Sequence, residues 1–247
     1  DELKDEVKTA RRDVIKHMKE QLKNGPLYAA ALNETNKQIL DNPSGHFYSS
    51  DPAGTLNQAF HDICLDPSRI DQIVMKGMKT EEAVSIFLYT QGAFAGINRE
   101  LRGGAPGDFI QQVTSNVNAG LSRLPPYQEP VYRVVNLPAS VDQQYQVGAT
   151  VADSGMLSTT FSPDFDVWGG GNSHVLSIVG HGDSAGRDVS WLSESPNERE
   201  VLFPPGTEFV VKQRDEAATP QVIGKLNNNA DKFDSQVGLL LVQKPKS

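Results

Sequence analysis

Cysteine is almost absent from this sequence. Cys64 is the one cysteine in 247 residues, so an intrachain disulfide and a thiolate metal site are both excluded. A single cysteine is compatible with an exported protein and equally with a cytosolic one. The redox compartment therefore stays open at this point.

Long hydrophobic runs are also absent. No apolar stretch approaches the ~20 residues that span a bilayer, and no stretch has the regions of a signal peptide. We therefore expect no membrane partner. The first residue is Asp1 rather than Met, which leaves open whether a leader has been removed.

Positive charge is scarce, with 23 Lys and Arg residues against 31 Asp and Glu residues and a net charge of −8. Contact with a nucleic-acid backbone needs clustered basic residues, and the nearest approach here is Arg11-Arg12. We therefore expect no nucleic-acid partner. The protein is also expected to be a monomer. Charged residues make up 22% of the chain, which is too few for a disordered protein.

The first half of the chain has the periodicity of helices. Apolar residues recur every three or four positions over residues 1–23, which predicts a helix that docks on the core by this stripe. Two short helices are predicted near 28–40 and 53–64, separated by a break at 42–45. The strongest helix is predicted over 80–102, with Thr80 as its cap.

After residue 125, short β-type runs alternate with turn clusters. Helices followed by strands predict an α+β fold with a mainly antiparallel sheet. The predicted strands are Val131–Val135, Gly155–Phe161, His174–Val179, Glu198–Phe203, Glu208–Lys212, Gln221–Ile223 and Val237–Val242.

Several motifs that suggest other chemistry lack the context they need. The segment 182–186 matches the Gly-x-Ser-x-Gly turn of serine hydrolases, but no helix is predicted after it and all five histidines precede Ser184. We interpret it as a flexible loop. The glycine run 169–171 opens no helix, so it is not a nucleotide-binding fingerprint. The pair His61 and Cys64 favours a core position over a metal site.

Three features of the β-rich half could carry chemistry. Arg133 shares one strand face with Val131 and Val135, so its guanidinium needs a partner. One interpretation is an arginine at a sheet edge that pairs with a carboxylate. The other is a bidentate clamp on a phosphate or carboxylate.

The second feature is Ser158-Thr159-Thr160, in which the first and last hydroxyls would lie on one strand face. The third is Glu198-Arg199-Glu200. If this segment is a strand, both glutamates lie on the same face with Cα atoms ~6.5–7 Å apart. Neighbouring carboxylates raise each other's proton affinity and can divide acid–base and electrostatic roles. Each of these two features also has an interpretation without a functional role. The second could be an ordinary threonine-rich strand, and the third could be the solvated start of a strand.

In this order, the three features resemble the arginine, Ser-Thr-Ser and Glu-x-Glu motifs of arginine-specific mono-ADP-ribosyltransferase toxins. The continuation Val201–Thr207 resembles the hydrophobic-Pro-x-Gly-Thr run that follows Glu-x-Glu in that family. The segment from Tyr89 to Arg102 resembles the helix ahead of the NAD cleft, although Phe94 stands where a tyrosine is common. Thr160 replaces the last serine but keeps the hydroxyl. The resemblance covers about residues 80–242.

The resemblance implies NAD⁺ as a substrate, no metal, and catalytic roles for Glu200, Glu198, Ser158 and Arg133. Glu200 would bond the ribose and stabilise the cation that forms there, as in glycoside cleavage. Ser158 would hold Glu200, and Arg133 would bind the NAD⁺ phosphates. Glu198 would deprotonate the acceptor arginine, because a free guanidinium is almost always protonated.

Further expectations follow from the same resemblance. Thr159 and Thr160 would support the nicotinamide pocket. The loop 164–173, with Phe165 and Trp168, would cover NAD⁺. The loop 187–197, with an exposed Trp191, would recognise the target.

The expected fold is a single domain over residues 1–247, mainly helical over 1–105 and β-rich over 125–247. Its helices would pack on a split β-sandwich around a central NAD cleft. The expected partner is a host protein, modified in the host cytoplasm after secretion by a bacterium.

Two other functions stay open. An NAD⁺ glycohydrolase would use water as its acceptor and label no protein, and the transferase is itself expected to have some of this activity. A catalytically inactive binding module on the same fold would not bind NAD⁺.

Overall fold

A computed structural model describes residues 2–34, 51–162, 174–180, 182–216 and 237–245. The helices are α1 (Glu2–Asn24), α2 (Pro26–Asn33), α3 (Pro52–Cys64), α4 (Pro67–Met75), α5 (Thr80–Leu88), α6 (Phe94–Gly103), α7 (Asp108–Ser122) and α8 (Ala139–Asp142). The strands are β1 (Val131–Val135), β2 (Thr150–Ala152), β3 (Leu157–Thr160), β4 (His174–Val179), β5 (Arg187–Asp188), β6 (Glu200–Phe203), β7 (Glu208–Asp215) and β8 (Val237–Gln243).

The chain divides into two compact units. A helical unit comprises Asp1–Leu124 and the short segment Trp191–Ser195, and a sheet unit comprises Pro125–Ser190 and Pro196–Ser247. Helices thus precede strands along the chain, as the sequence pattern predicts, and the α+β class is confirmed. That the whole chain forms a single domain stays a prediction.

Local signals account for several helix starts in the helical unit. Pro26, Pro52 and Pro67 each occupy a first-turn position, where a missing N–H costs nothing. The carboxylates of Asp51 and Asp66 accept backbone N–H groups as caps of α3 and α4. The sequence analysis predicted α3 but neither α4 nor α7. None of the helices in the described ranges is long and apolar enough to cross a membrane.

The apolar stripe of α1 is buried over only part of its length. Met18 and Leu22 are buried, whereas Val7 is 50% exposed. The prediction that the stripe docks on the core is therefore correct for the second half of α1 and wrong for Val7.

The helix predicted over 80–102 is broken. It consists of α5, a π-helical turn over Tyr89–Ala93, and α6, and Gly92 lies inside the turn at φ 103°. Such π turns are frequent at functional sites. The cap predicted at Thr80 is instead Lys79, one residue earlier. The Lys79 backbone N–H donates to the Glu82 carboxylate at 2.8 Å.

The sheet unit contains one hydrogen-bonded sheet with the strand order β2-β7-β8-β4-β1-β3-β6-β5. The pair β4–β8 is parallel and the other strand pairs among the described residues are antiparallel, which confirms a mainly antiparallel sheet. Alternate residues of these strands supply the apolar core of the unit, among them Val131, Leu176, Ile178, Val201, Phe203, Phe209, Val211, Leu239 and Leu241.

The strand predictions agree with the structure to different degrees. Val131–Val135 and His174–Val179 have the predicted bounds, whereas the strand predicted from Glu198 begins at Glu200. The short strands β2 and β5 were not predicted, and the predicted strand Gln221–Ile223 lies outside the described residues.

The segment 182–186 is a packed turn and not the flexible loop predicted from its glycines. Ser184 is fully buried, and its hydroxyl lies 3.2 Å from the Gln243 side-chain oxygen. The same oxygen accepts the Ala185 N–H at 2.9 Å, and the Ser184 hydroxyl accepts the Gly186 N–H at 3.1 Å. Ser184 therefore has a structural role, which argues further against a serine hydrolase.

Two glycines of this turn provide a matched test of its packing. A Cβ on Gly186 would lie 2.7 Å from the Phe203 ring and 3.0 Å from Val201, whereas a Cβ on Gly182 would meet nothing within 4 Å. We expect Gly186→Ala to lower the free energy of unfolding by about 1–3 kcal/mol through overpacking. Gly182→Ala should stay within about 0.5 kcal/mol of wild type. Denaturant unfolding measures both, and equal values would contradict the packing described here.

Candidate active site

The three candidate motifs lie on, or directly before, three adjacent strands of the sheet. Strand β3, which carries residues 158–160, runs between β1 and β6. Thr160 is the register partner of Tyr132 on β1 and of Glu200 on β6. Residues far apart in the sequence are therefore brought together by the strand order.

Glu200 is the buried acid at the centre of this arrangement. It opens β6, is 5% exposed, and its carboxylate is hydrogen-bonded by the Ser158 side chain. The pKa of Glu200 is raised to about 7: burial raises it most and the charge of Glu198 also raises it, while the Ser158 hydrogen bond and the charge of Arg133 oppose the rise. At neutral pH, Glu200 is therefore poised between its protonated and ionised forms.

Arg133 finds its partner on the neighbouring strand. Its Nη1 donates to the Ser158 carbonyl oxygen at 2.6 Å, and its charge acts on Glu200. Because β1 lies between β4 and β3, Arg133 is not on an edge strand. The alternative of an edge arginine is therefore wrong, and the guanidinium lies within the candidate site.

The hydroxyls of β3 each hold a different part of the site. Ser158 bonds the Glu200 side chain, and the Thr160 hydroxyl donates to the backbone carbonyl of Glu198 at 2.7 Å. The Thr159 hydroxyl donates to the carbonyl of Val201 at 2.7 Å and is buried. Ser158 and Thr160 thus both hold the segment that carries the two glutamates, the first through the Glu200 carboxylate and the second through the Glu198 backbone.

Glu198 does not share a strand with Glu200. It ends a 3-10 turn over Pro196–Glu198, and Arg199 follows with a φ of 48°. The prediction of two glutamates on one face of a straight strand is therefore wrong in its geometry. The two acids are nevertheless close enough that Glu198 affects the pKa of Glu200.

Arg199 is the single non-glycine residue with a positive φ among the described residues, a conformation that side chains rarely adopt. Its guanidinium lies 5.8 Å from the centroid of the Phe161 ring. Phe161 in turn stacks on Tyr127, with centroids 5.3 Å apart and planes at 25°. No local sequence pattern marks Arg199, Phe161 or Tyr127 as residues of the site, so none of the three was predicted.

Trp191 is half-buried and not the exposed aromatic that the sequence analysis expected. It belongs to the segment Trp191–Ser195 of the helical unit, and the Lys76 ammonium lies 5.1 Å from its ring. Arg69 donates to the carbonyl of Ser193 at 2.8 Å, and the segment is thus held by the helical unit. Phe165 and Trp168 lie outside the described residues.

No described group of three or more His, Cys, Asp and Glu side chains is arranged to hold a metal ion. Burial raises the pKa of the Cys64 thiol to about 11, so the thiol is protonated at neutral pH and is a poor ligand in that form. His61 lies 3.3 Å from the Asp62 carboxylate.

A family model described as ADP-ribosyltransferase exoenzyme matches residues 69–233. Two curated relatives are similar in sequence. The NAD(+)--protein-arginine ADP-ribosyltransferase Tre1 of Serratia proteamaculans is 38% identical over 132 residues, which cover 53% of this chain and 28% of the relative. The putative NAD(+)--arginine ADP-ribosyltransferase Mav of Mycobacterium avium is 30% identical over 167 residues, covering 66% and 19%. The matches thus span 28% or less of either relative's length.

Solved structures share the fold. The ADP-ribosyltransferase HopU1 of Pseudomonas syringae has a TM-score of 0.62 at 16% identity, covering 89% of this chain and 95% of that one. Exoenzyme S of Pseudomonas aeruginosa, in complex with human 14-3-3 protein beta and carba-NAD, has a TM-score of 0.56 at 16% identity, covering 88% and 86%. The type III effector XopAI of Xanthomonas axonopodis has a TM-score of 0.56 at 20% identity, covering 95% and 99%.

The raised pKa of Glu200 predicts a pH-dependent stability. Its folded pKa of about 7 lies above the ordinary glutamate value of 4.5, so between these pH values the folded state holds a proton that the unfolded state releases. Wild type should therefore lose stability as pH rises from about 4.5 through 7, and Glu200→Gln should not. The stability of Glu200→Gln relative to wild type should grow by on the order of 3 kcal/mol between pH 4 and pH 8.

Chemical denaturation at several pH values measures this difference. Glu194→Gln is the control, because Glu194 is an exposed glutamate of the same region. Parallel pH profiles for wild type and Glu200→Gln would show that the Glu200 carboxylate is not desolvated.

Proposed function

This chain belongs to the ADP-ribosyltransferase exoenzyme family, and from that premise we propose that it transfers ADP-ribose from NAD⁺ to an arginine side chain of a protein acceptor. The observation that carries the proposal is the buried Glu200, bonded by Ser158 and influenced by the charges of Arg133 and Glu198. Arg133, Ser158 and Glu200 lie on the neighbouring strands β1, β3 and β6, and Glu198 lies in the turn that precedes β6.

The proposed reaction breaks the bond between nicotinamide and ribose. Nicotinamide leaves neutral, and positive charge develops on the ribose as in glycoside cleavage. A preorganised carboxylate in a water-poor site stabilises such a charge more strongly than it would in bulk water. Glu200 is assigned this role in its ionised form, and Ser158 favours that form by donating a hydrogen bond to it.

Glu198 is proposed as the base that prepares the acceptor. A guanidine nitrogen forms the new bond to the ribose, and the proton it loses goes to the Glu198 carboxylate. Thr160 fixes the backbone of Glu198, which places the side chain ahead of the strand that holds Glu200. The names of the two relatives, which specify arginine as the acceptor, support this choice of acceptor.

Arg133 is proposed to bind the phosphates of NAD⁺. A guanidinium has five N–H donors, of which Nη1 supplies one to Ser158. Thr159 and Thr160 would support the pocket through the backbone bonds described above. As the resemblance implies, Phe165 and Trp168 are proposed to cover NAD⁺, and Trp191 is proposed to recognise the target protein.

The biological setting is proposed from proteins that share this fold. We infer a bacterial effector that is secreted and modifies a protein in the host cytoplasm as a monomer. The exoenzyme and the type III effector with the same fold support this setting. The structure with carba-NAD supports NAD⁺ as the substrate.

The two glutamates should separate in their effects on activity. Glu200→Gln should reduce both ADP-ribose transfer and NAD⁺ hydrolysis, by about 10²–10³-fold, because the charge that stabilises the ribose cation is lost. Glu198→Gln should reduce transfer to arginine by about 10²–10⁴-fold while much of the hydrolysis remains, since water needs no deprotonation of a guanidinium. Labelled NAD⁺ incubated with cell lysate measures transfer, and nicotinamide release measures hydrolysis.

Each contrary outcome of this experiment has a definite meaning. Equal transfer by wild type and Glu198→Gln would refute the role of Glu198. NAD⁺ consumption without any labelled protein would identify a glycohydrolase. Failure to bind NAD⁺ in calorimetry would identify an inactive binding module on this fold.

The hydrogen bond from Ser158 predicts a shift in the pH profile of NAD⁺ hydrolysis. That bond lowers the pKa of Glu200, so Ser158→Ala should move the rising limb of the profile to higher pH. Thr159→Val is the matched control, because its hydroxyl bonds the backbone of Val201 and not Glu200. An unmoved profile for Ser158→Ala would mean that the ionisation of Glu200 does not limit hydrolysis.

A further inference from the structure

Tyr127 and Phe161, here called the aromatic pair, lie beside the segment that carries the two glutamates. Their rings stack with centroids 5.3 Å apart, and both are half-buried against the apolar core of the sheet unit. The Phe161 N–H bonds the Arg199 carbonyl at 3.2 Å, so the pair is joined directly to the turn between Glu198 and Glu200. Part of each residue stays accessible to solvent.

Carboxylates lie near the Tyr127 side of the aromatic pair and in the adjoining turn. Glu129 and Asp188 both act electrostatically on the Tyr127 phenol, and Glu198 precedes Arg199 in the turn. Aromatic faces attract cations, and planar guanidinium groups stack on them particularly well. Aromatic rings bordered by carboxylates are therefore suited to a guanidinium ligand.

A guanidinium of the chain itself already lies there. That of Arg199 is 5.8 Å from the centre of the Phe161 ring. No hydrogen bond or ion pair with the described residues holds this guanidinium, and Arg199 is exposed. Its contact with Phe161 can therefore be exchanged for another without breaking a buried interaction.

The backbone of Arg199 is held in an unfavourable conformation. Its φ of 48° is rare for a residue with a side chain, and the turn is fixed by hydrogen bonds that the Arg199 N–H donates to the Pro196 carbonyl and that the Phe161 N–H donates to the Arg199 carbonyl. This turn separates Glu198 from strand β6 and keeps the Arg199 backbone next to Phe161.

We propose that the aromatic pair and Glu198 form the binding subsite for the acceptor guanidinium, and that Arg199 occupies this subsite until an acceptor displaces it. The proposal rests on the proposed function, because it assumes an arginine acceptor. It adds the residues that contact the acceptor and an internal competitor for them. Removing the Arg199 guanidinium then strengthens acceptor binding, and removing the Phe161 ring weakens it.

The test uses agmatine, a small guanidinium compound, as the acceptor probe on the full chain. Its Kd is measured by calorimetry without NAD⁺, and its KM in the transfer reaction with NAD⁺. Arg199→Gln should lower both values about two- to fivefold, the effect expected of one exposed cation–π contact. Arg199→Lys keeps a competing cation and should stay closer to wild type.

Lys212→Gln is the matched control for charge. Lys212 is exposed on β7, so this variant changes the net charge equally without touching the aromatic pair. It should leave the Kd for agmatine unchanged. An equal decrease in Lys212→Gln and Arg199→Gln would overturn the proposal, because the effect would then be general electrostatics.

Phe161→Leu tests the ring directly. It should raise the Kd for agmatine, and adding Arg199→Gln to it should bring no further gain, because the shared ring is gone. A gain that persists in the double variant would overturn the proposal. Circular dichroism and thermal unfolding check that the Phe161 variants fold, and the exposed Arg199 variants decide the question if they do not.

The binding measurement separates this proposal from the proposed function. Absence of NAD⁺ turnover in wild type would refute the transferase, while the Kd comparison among variants would still support or overturn the agmatine subsite. Normal turnover together with an unchanged Kd in Arg199→Gln would refute only the subsite.

Discussion

Burial of the Glu200 carboxylate is the constraint on which the candidate site depends. An ionised acid removed from water is costly unless hydrogen bonds and opposite charge compensate it. Here Ser158 donates to the carboxylate and Arg133 supplies the opposite charge, while burial and Glu198 keep the pKa near 7. Strands β1, β3 and β6 must therefore be neighbours, because each provides one member of this group. The order of these strands in the sheet thus brings Arg133 and Ser158 to the Glu200 carboxylate.

The two glutamates lie on different kinds of backbone, and this difference supports the different roles proposed for them. Glu200 lies on a strand whose next residue, Val201, packs in the core, and its position is fixed as firmly as the sheet. Glu198 lies in a turn, bound to β3 by Thr160 through its carbonyl. A fixed buried acid suits the stabilisation of a developing charge, whereas an acid at a turn suits contact with an incoming protein side chain.

Agreement between sequence and structure depended on how local the signal was. Val131–Val135 and His174–Val179 are short β-type runs between turn clusters, and the bounds of both strands were correct. The helix over 80–102 was predicted as continuous because its apolar face is continuous, yet Gly92 adopts φ 103° and breaks it. Ser184 looked mobile among glycines, but Gln243, distant in the sequence, fixes it in the interior. Both errors arose from contacts or conformations that no short window contains.

By itself, the sequence determined the α+β order of elements, the strands that carry Arg133 and Ser158, and the residue types of the site, because periodicity and motif spacing are local properties. Only the tertiary structure decided that Glu198 precedes the strand, that Trp191 is half-buried and that Arg199 lies over Phe161. It also decided the pKa of Glu200. Burial and charge at one carboxylate depend on neighbours from separate strands, and those neighbours meet only when the sheet forms.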